Sequence, residues 1–196
     1  MIVVFFGPPG SGKGTQAQRV AARVGLPHVA TGEILRREAA TGSELGREVQ
    51  PLMDRGALVP DDLVVRVIES RLRAPDARRG VLLDGFPRTL AQAAALDAML
   101  RRRSRRVDTV VSLRVPDDVL RQRMRVRAAA EGRGDDTPET FEKRLEVYRL
   151  ETAPVLDHYR ATGARIADID GVGTIDEVTA RVITAFAPAD TEQRAS

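Results

Sequence analysis

Gly7-Pro8-Pro9-Gly10-Ser11-Gly12-Lys13-Gly14-Thr15 stands directly behind the apolar run Ile2-Val3-Val4-Phe5-Phe6. Five apolar residues in a row suit a short strand buried on both faces, and a helical pattern runs on from Gln16 to Val24. Strand, glycine loop and helix in that order aim loop amides and a helix N-terminus at bound phosphate. Gly10, Gly12 and Gly14 let the backbone come close on either side of Ser11, Lys13 supplies a point charge for the β and γ phosphates, and Thr15 offers an oxygen to a phosphate or to Mg²⁺. The general loop has Ser or Thr right after the lysine, whereas here Gly14 intervenes. A chance glycine turn is the ordinary alternative, and the agreement of five spaced positions with the strand context argues against it.

At 196 residues the chain has the length of one domain, or of one domain with inserted lobes, and can bury a sizeable core. No apolar run approaches the ~20 residues that span a membrane. The first one, Ile2 to Phe6, has no basic segment ahead of it, so neither an anchor nor a signal peptide is expected. With no cysteine, a disulfide framework and a thiolate zinc site are excluded, which fits a reducing cytoplasm.

The net charge is +3, yet Lys13 and Lys143 are the only lysines. Arginine binds phosphate bidentately and keeps its charge, so the excess suits nucleotides, acidic surfaces or nucleic acid. The run Arg101-Arg102-Arg103-Ser104-Arg105-Arg106 is the obvious basic patch. Its position suits a solvated helix end, where cations complement the dipole. No aromatic residue interleaves with it to stack on single strands, so no nucleic-acid partner is expected.

Strands are expected at 2–6, 27–30, 80–84, 107–114 and 164–168, and helices near 13–24, 32–41, 43–55, 61–73, 89–101, 117–128, 138–161 and 174–186. Apolar strands alternating with amphipathic helices argue for a three-layer α/β/α fold around a parallel five-stranded sheet. Ligands then sit beyond the carboxyl ends of the strands. Three helical stretches between 32 and 73 have no strand between them and form a small lobe over that edge.

Asp84-Gly85-Phe86-Pro87-Arg88 closes the third strand. An acid at that point, beside the phosphate loop, is placed to hold Mg²⁺ through its water shell, or else to cap the next helix. Arg88 faces the same crevice or makes a structural ion pair. At about 100° per residue, Arg123 and Arg127 share the apolar arc of Val119, Leu120, Met124 and Val126, while Arg121 and Arg125 lie opposite. Arg144 borders the stripe Phe141, Leu145, Tyr148, Thr152, Val155, Tyr159. Arginines so placed need a partner such as a phosphate, or they snorkel at a core edge. His28 and His158 lie in no motif and read as structural.

These segments, with Thr31 to Arg36, Gly56 to Asp61, Thr89 with Gln92, and Gly132 to Asp136, resemble the nucleoside monophosphate kinases, most closely the adenylate kinases, in order from Met1 to about Phe186. Gly14 and Thr15 match that family's variant of the phosphate loop. The resemblance implies a P-loop kinase that moves the γ-phosphoryl of MgATP to AMP and makes two ADP, with Mg²⁺ as cofactor and no phosphoenzyme. It implies one domain over 1–186, with core segments 1–30, 60–127 and 137–186, a helical NMP-binding lobe at 31–59, a short lid at 128–136 and a flexible tail at 187–196.

Carried over residue by residue, the resemblance has Lys13 grip the donor phosphates and Thr15 and Asp84 serve Mg²⁺. Arg123 lies against the donor adenine, near Gly173. Arg36 and Arg88 clamp the AMP phosphate. Thr31, the backbone from Ala57 through Leu58 to Val59, Gly85 with Phe86, and Gln92 read the acceptor base. Arg127, Arg133 and Arg144 close on the transferring group, and Asp135 and Asp136 latch the lid. Glu33 stands where the family commonly has Asp, and the five residues between Arg127 and Arg133 match the short-lid form. A pyrimidine monophosphate kinase is the alternative, and such proteins usually carry Asn in place of Thr89. A nucleotide-binding switch or a nucleic-acid module is the third reading. A cytoplasmic monomer is expected.

Overall fold

All five residues of β1 (Ile2–Phe6) are buried because each face of the strand meets a different helical layer. The computed structural model describes residues 1–131 and 137–186, with the side chains of 129–131 left out of that description. After β1 come α1 (Lys13–Val24), β2 (His28–Ala30), α2 (Thr31–Ala40), α3 (Glu44–Asp54) and α4 (Asp61–Arg73). A 3₁₀ turn (Pro75–Arg78) leads to β3 (Val81–Asp84), α5 (Leu90–Arg101) and β4 (Thr109–Arg114). Then follow α6 (Asp117–Glu131), α7 (Pro138–Val147), a π-helical turn (Tyr148–Thr152), α8 (Ala153–Ala161), β5 (Arg165–Asp170) and α9 (Ile175–Phe186).

The sheet has the order β2-β3-β1-β4-β5, every pairing parallel, with Val4 of β1 opposite Leu83 of β3 and Val110 of β4. Side chains alternate along β1. Ile2, Val4 and Phe6 join Ile68, Leu96, Leu100 and Tyr159 on one face, while Val3 and Phe5 join Ala17, Val20, Val178 and Val182 on the other. Each such fully buried side chain contributes roughly 1.5–3 kcal/mol, so a charge at Val3 or Val4 would lose one whole layer contact. A third cluster, Leu120, Met124, Phe141 and Leu145, packs α6 on α7.

Because β1 lies between β3 and β4, the chain leaves its carboxyl end at the point where strand order reverses, and that is where open parallel sheets form a crevice. The arginine run lies at the opposite pole. Arg103 donates to the Leu72 carbonyl at 2.6 Å, and Arg105 to those of Ala77 and Arg78 at 3.3 Å each. These two side chains satisfy carbonyls at the ends of helical turns.

The helix expected over 138–161 forms, but with the π turn inside it, and the 3₁₀ turn at Pro75–Arg78 had no counterpart in the sequence reading. Among the described residues, no helix is long and apolar enough to cross a membrane.

Candidate active site

The loop after β1 ends at Gly12, whose φ of 87° lies in the left-handed region, and α1 begins at Lys13 with no side-chain cap on its first amides. Those amides stay open to an anion, which the helix dipole favours. Lys13 donates to the Pro8 carbonyl at 3.3 Å, curling back over the loop. A Cβ on Gly14 would stand 3.3 Å from Asp84 Oδ2. A side chain after the lysine would crowd the carboxylate at the end of β3, which fits the glycine at this position.

A cleft of about 860 Å³ opens above this loop, lined by Lys13, Arg36, Arg88, Arg123, Arg127 and Arg144 against two carboxylates, Glu33 and Asp84. Burial pushes the Lys13 ammonium down; Asp84 opposes this, Arg88, Arg144 and Arg127 add to it, and the result is about 8. Burial likewise lowers Arg88, helped by Arg144 and Arg36 and opposed by Asp84, to about 10. Burial would raise the Asp84 carboxyl, but His28, Lys13 and Arg88 outweigh it and hold it below its ordinary value. Cations gathered against their own repulsion favour the binding of an anion.

Arg123 is fixed between the two walls of the cleft, donating to the Ser11 carbonyl at 3.3 Å and the Gly171 carbonyl at 2.8 Å. Gly173 and Thr174 line the same wall. Arg121, on the far side of α6, pairs instead with Glu142 at 2.6 Å. Arg88 Nε donates to Gly85 O at 2.9 Å, and Thr152 Oγ1 donates to Arg88 O at 2.9 Å. The π turn thus ties the helix that carries Arg144 to the loop that carries Arg88.

A second, smaller pocket adjoins the cleft. It is lined by Thr31, Arg36, Ala57, Leu58, Val59, Gly85, Arg88, Gln92 and Arg144. Thr31 Oγ1 is buried with no hydrogen-bond partner among the described residues. Gln92 is buried too, with its amide already engaged. Its Oε1 accepts from Arg88 N at 2.7 Å, and its Nε2 donates to Asp61 Oδ1 at 2.8 Å. Thr89 caps α5 by accepting from Gln92 N at 3.1 Å and donates to Asp61 Oδ2 at 2.8 Å.

The structure thus gathers Gly10 to Thr15, Asp84, Arg88, Arg123, Arg127, Arg144 and Gly173 at one cleft, and Thr31, Arg36, Ala57 to Val59, Gly85 and Gln92 at the pocket beside it. Phe86, expected at the acceptor base, has a side chain that is 1% exposed and packs in the core. Arg133, Asp135 and Asp136 lie outside the described residues.

Three residues were missed. His28, set aside as structural, has Nε2 at 3.7 Å from Asp84 Oδ2, because Ala30 of β2 pairs with Asp84 and brings the histidine alongside. Asp61 entered only as the end of the Gly56 to Asp61 segment, with no role of its own, and Thr152 as a member of an apolar stripe. Nothing in their own neighbourhoods announces partners 31 and 64 residues away.

A parallel α/β sheet whose central strand feeds a glycine loop, with open helix amides beneath a ring of cations, defines the P-loop nucleotide-binding class. The adenylate kinase family model matches residues 5–164. An adenylate kinase of Stenotrophomonas maltophilia (strain R551-3) is 48% identical over 186 residues, covering 95% of this chain and 99% of the relative. One of Phenylobacterium zucineum (strain HLK1) is 48% identical, with 95% and 97% covered. One of Caulobacter vibrioides (strain NA1000 / CB15N) is 44% identical over 188 residues, with 96% and 98% covered. The chain belongs to the adenylate kinase family, and it is an enzyme of the phosphotransferase kind.

Proposed function

We propose that the protein transfers the γ-phosphoryl group of MgATP directly to AMP, reversibly giving two ADP. The observation that carries this reading is the junction of two differently built sites. A phosphate loop under a cationic cleft adjoins a smaller pocket with a buried glutamine, and Arg36, Arg88 and Arg144 line both. A donor in the cleft and an acceptor in the pocket would meet across the arginines that line both.

Phosphoryl transfer needs positioning and charge neutralisation more than a nucleophilic side chain. Lys13 and the amides of Gly10 to Thr15 hold the donor phosphates, and Arg123 with Gly173 borders the donor base. Arg36 and Arg88 hold the acceptor phosphate. Thr31, the backbone of Ala57 to Val59, Gly85 and Gln92 surround the acceptor base. Arg127 and Arg144, with Arg133 by family resemblance, neutralise the group in flight, and Asp135 and Asp136 latch the lid by the same resemblance. The segments 31–59 and 128–136 act as acceptor lobe and lid on a core of 1–30, 60–127 and 137–186.

Asp84 and Thr15 suit a hydrated Mg²⁺, since Asp84 Oδ1 is buried without a partner among the described residues and its carboxyl is held ionised. When bound, the ion supplies charge neutralisation on the donor phosphates. The absence of cysteine fits a reducing cytoplasm, and we infer a monomer.

A coupled assay with AMP, CMP, UMP and GMP as acceptors tests the reading. AMP should give the highest kcat/KM, and preference for CMP or UMP would return the pyrimidine alternative.

A further inference from the structure

An amide is ambidextrous: rotated by 180°, it exchanges a donor for an acceptor with almost no change of shape. A glutamine that is to tell one base from another must be held in one orientation. In this structure Gln92 is held from both ends, by Arg88 N–H, which demands the oxygen, and by the Asp61 carboxylate, which demands the nitrogen. Asp61 is itself anchored by the Thr89 hydroxyl on its other oxygen, and Thr89 is fixed in turn as the cap of α5. The chain Arg88, Gln92, Asp61, Thr89 closes on itself at the start of α5, with Arg88 in the loop before that helix, Thr89 its N-cap, Gln92 in its first turn and Asp61 at the first residue of α4. Its carboxylate accepts only, so it leaves the Gln92 amide no alternative setting.

We propose that Asp61 is a specificity-determining positioning residue, fixing the Gln92 amide in the setting that selects a 6-amino over a 6-oxo purine. This rests on reading the pocket as the acceptor-base site. Two of the four hydrogen-bonding positions of the Gln92 amide are taken, which leaves one N–H and one lone pair for the pocket that Gln92 lines. In that fixed order the amide accepts from an exocyclic amino group and donates to the neighbouring ring nitrogen, as adenine offers. Hypoxanthine has a carbonyl and a ring N–H in the same places, so each group meets its like. Without Asp61 the amide is held only by Arg88 N–H, and its turned-over setting, which the 6-oxo base needs, costs one hydrogen bond fewer.

The test compares kcat/KM for AMP and for inosine monophosphate, with MgATP binding measured separately without acceptor, in Asp61→Ala, Asp61→Asn and Gln92→Leu. Asp61→Ala is expected to lower the AMP-to-IMP ratio at least tenfold, partly through better use of IMP, and to leave MgATP affinity within twofold. Asp61→Asn, which keeps the shape and can offer either atom, should fall between; if the alanine variant does not fold, its ratio carries the test. Equal proportional loss on both acceptors, or an unchanged ratio in a folded variant, overturns the proposal. The Gln92→Leu arm separates the two ideas. Collapse of the ratio there, with none at Asp61, defeats Asp61 alone, whereas a ratio unmoved by Gln92→Leu defeats the acceptor-base reading beneath it.

Discussion

The cleft proposed for the donor and the pocket proposed for the acceptor share three arginines but are built by opposite means. The cleft floor is backbone: glycine-loop amides and the uncapped start of α1, drawn from nine consecutive residues. The pocket wall is a circuit of side chains, in which Asp61 reaches Gln92 across 31 residues and Thr152 reaches the Arg88 carbonyl across 64. A backbone site recognises charge and shape common to every nucleotide phosphate. A side-chain circuit can discriminate between bases, and its failure should be selective where failure of the loop is general.

Lys13→Met should break the donor side outright. We expect a folded protein whose kcat at saturating MgATP falls by about 10²–10³, the effect of removing one preorganised charge-stabilising group, whichever acceptor is offered. Turnover near that of the unsubstituted enzyme would remove Lys13 from its role.

Gln92→Leu should break only the acceptor side. Leaving adenine's polar edge unpaired costs about 1–3 kcal/mol, which should appear in kcat/KM for AMP while MgATP binding without AMP stays unchanged. Equal weakening of MgATP binding would erase the distinction between the two sites.

A smaller, graded effect follows from Lys13 titrating at about 8, below its ordinary 10.5. Donor phosphates favour the charged form, so in protein free of metal and acceptor, ATP affinity should fall roughly tenfold per pH unit above 8, with proton uptake on binding. Stability without nucleotide runs the other way. Between 8 and 10.5 the unfolded chain binds more protons at this lysine, so Lys13 destabilises the fold most below 8 and the penalty is relieved as pH rises. Calorimetry in buffers of different ionisation enthalpy reads the uptake, and its absence at pH 9 would show Lys13 to titrate elsewhere.

The smallest effect is expected at a core residue that lines neither site. Tyr159 is buried beside Phe6, and its hydroxyl has no partner among the described residues. Tyr159→Phe should therefore leave stability unchanged or raise it by up to about 1 kcal/mol, with acceptor preference unaltered. A loss above that in thermal unfolding would reveal a bond the hydroxyl makes.

The same contrast explains what could be read from sequence. β1, the loop and α1 were legible to the residue, since local spacing alone dictates a backbone site. The order of strands and helices was legible because apolar runs and amphipathic arcs are local too. Gly14 was visible as an offset, but the Asp84 oxygen that a Cβ there would crowd, 3.3 Å away, lies at the end of β3, outside the reach of local spacing. Gln92 was assigned to the pocket, while the partners that orient it were not, and His28 gave no sign of Asp84. The π turn left the hydrophobic stripe of 138–161 intact, because one widened turn shifts the helix face without changing residue types.

β1 is the central strand, yet its partners are β3 and β4, which end at Asp84 and Arg114. During synthesis, five adjacent apolar residues must therefore wait for more than half the chain before both of their edges are covered. Such late, non-local pairing slows folding and leaves an adhesive segment exposed. The phosphate loop is thus made before either strand that flanks it and fixed in place only after both.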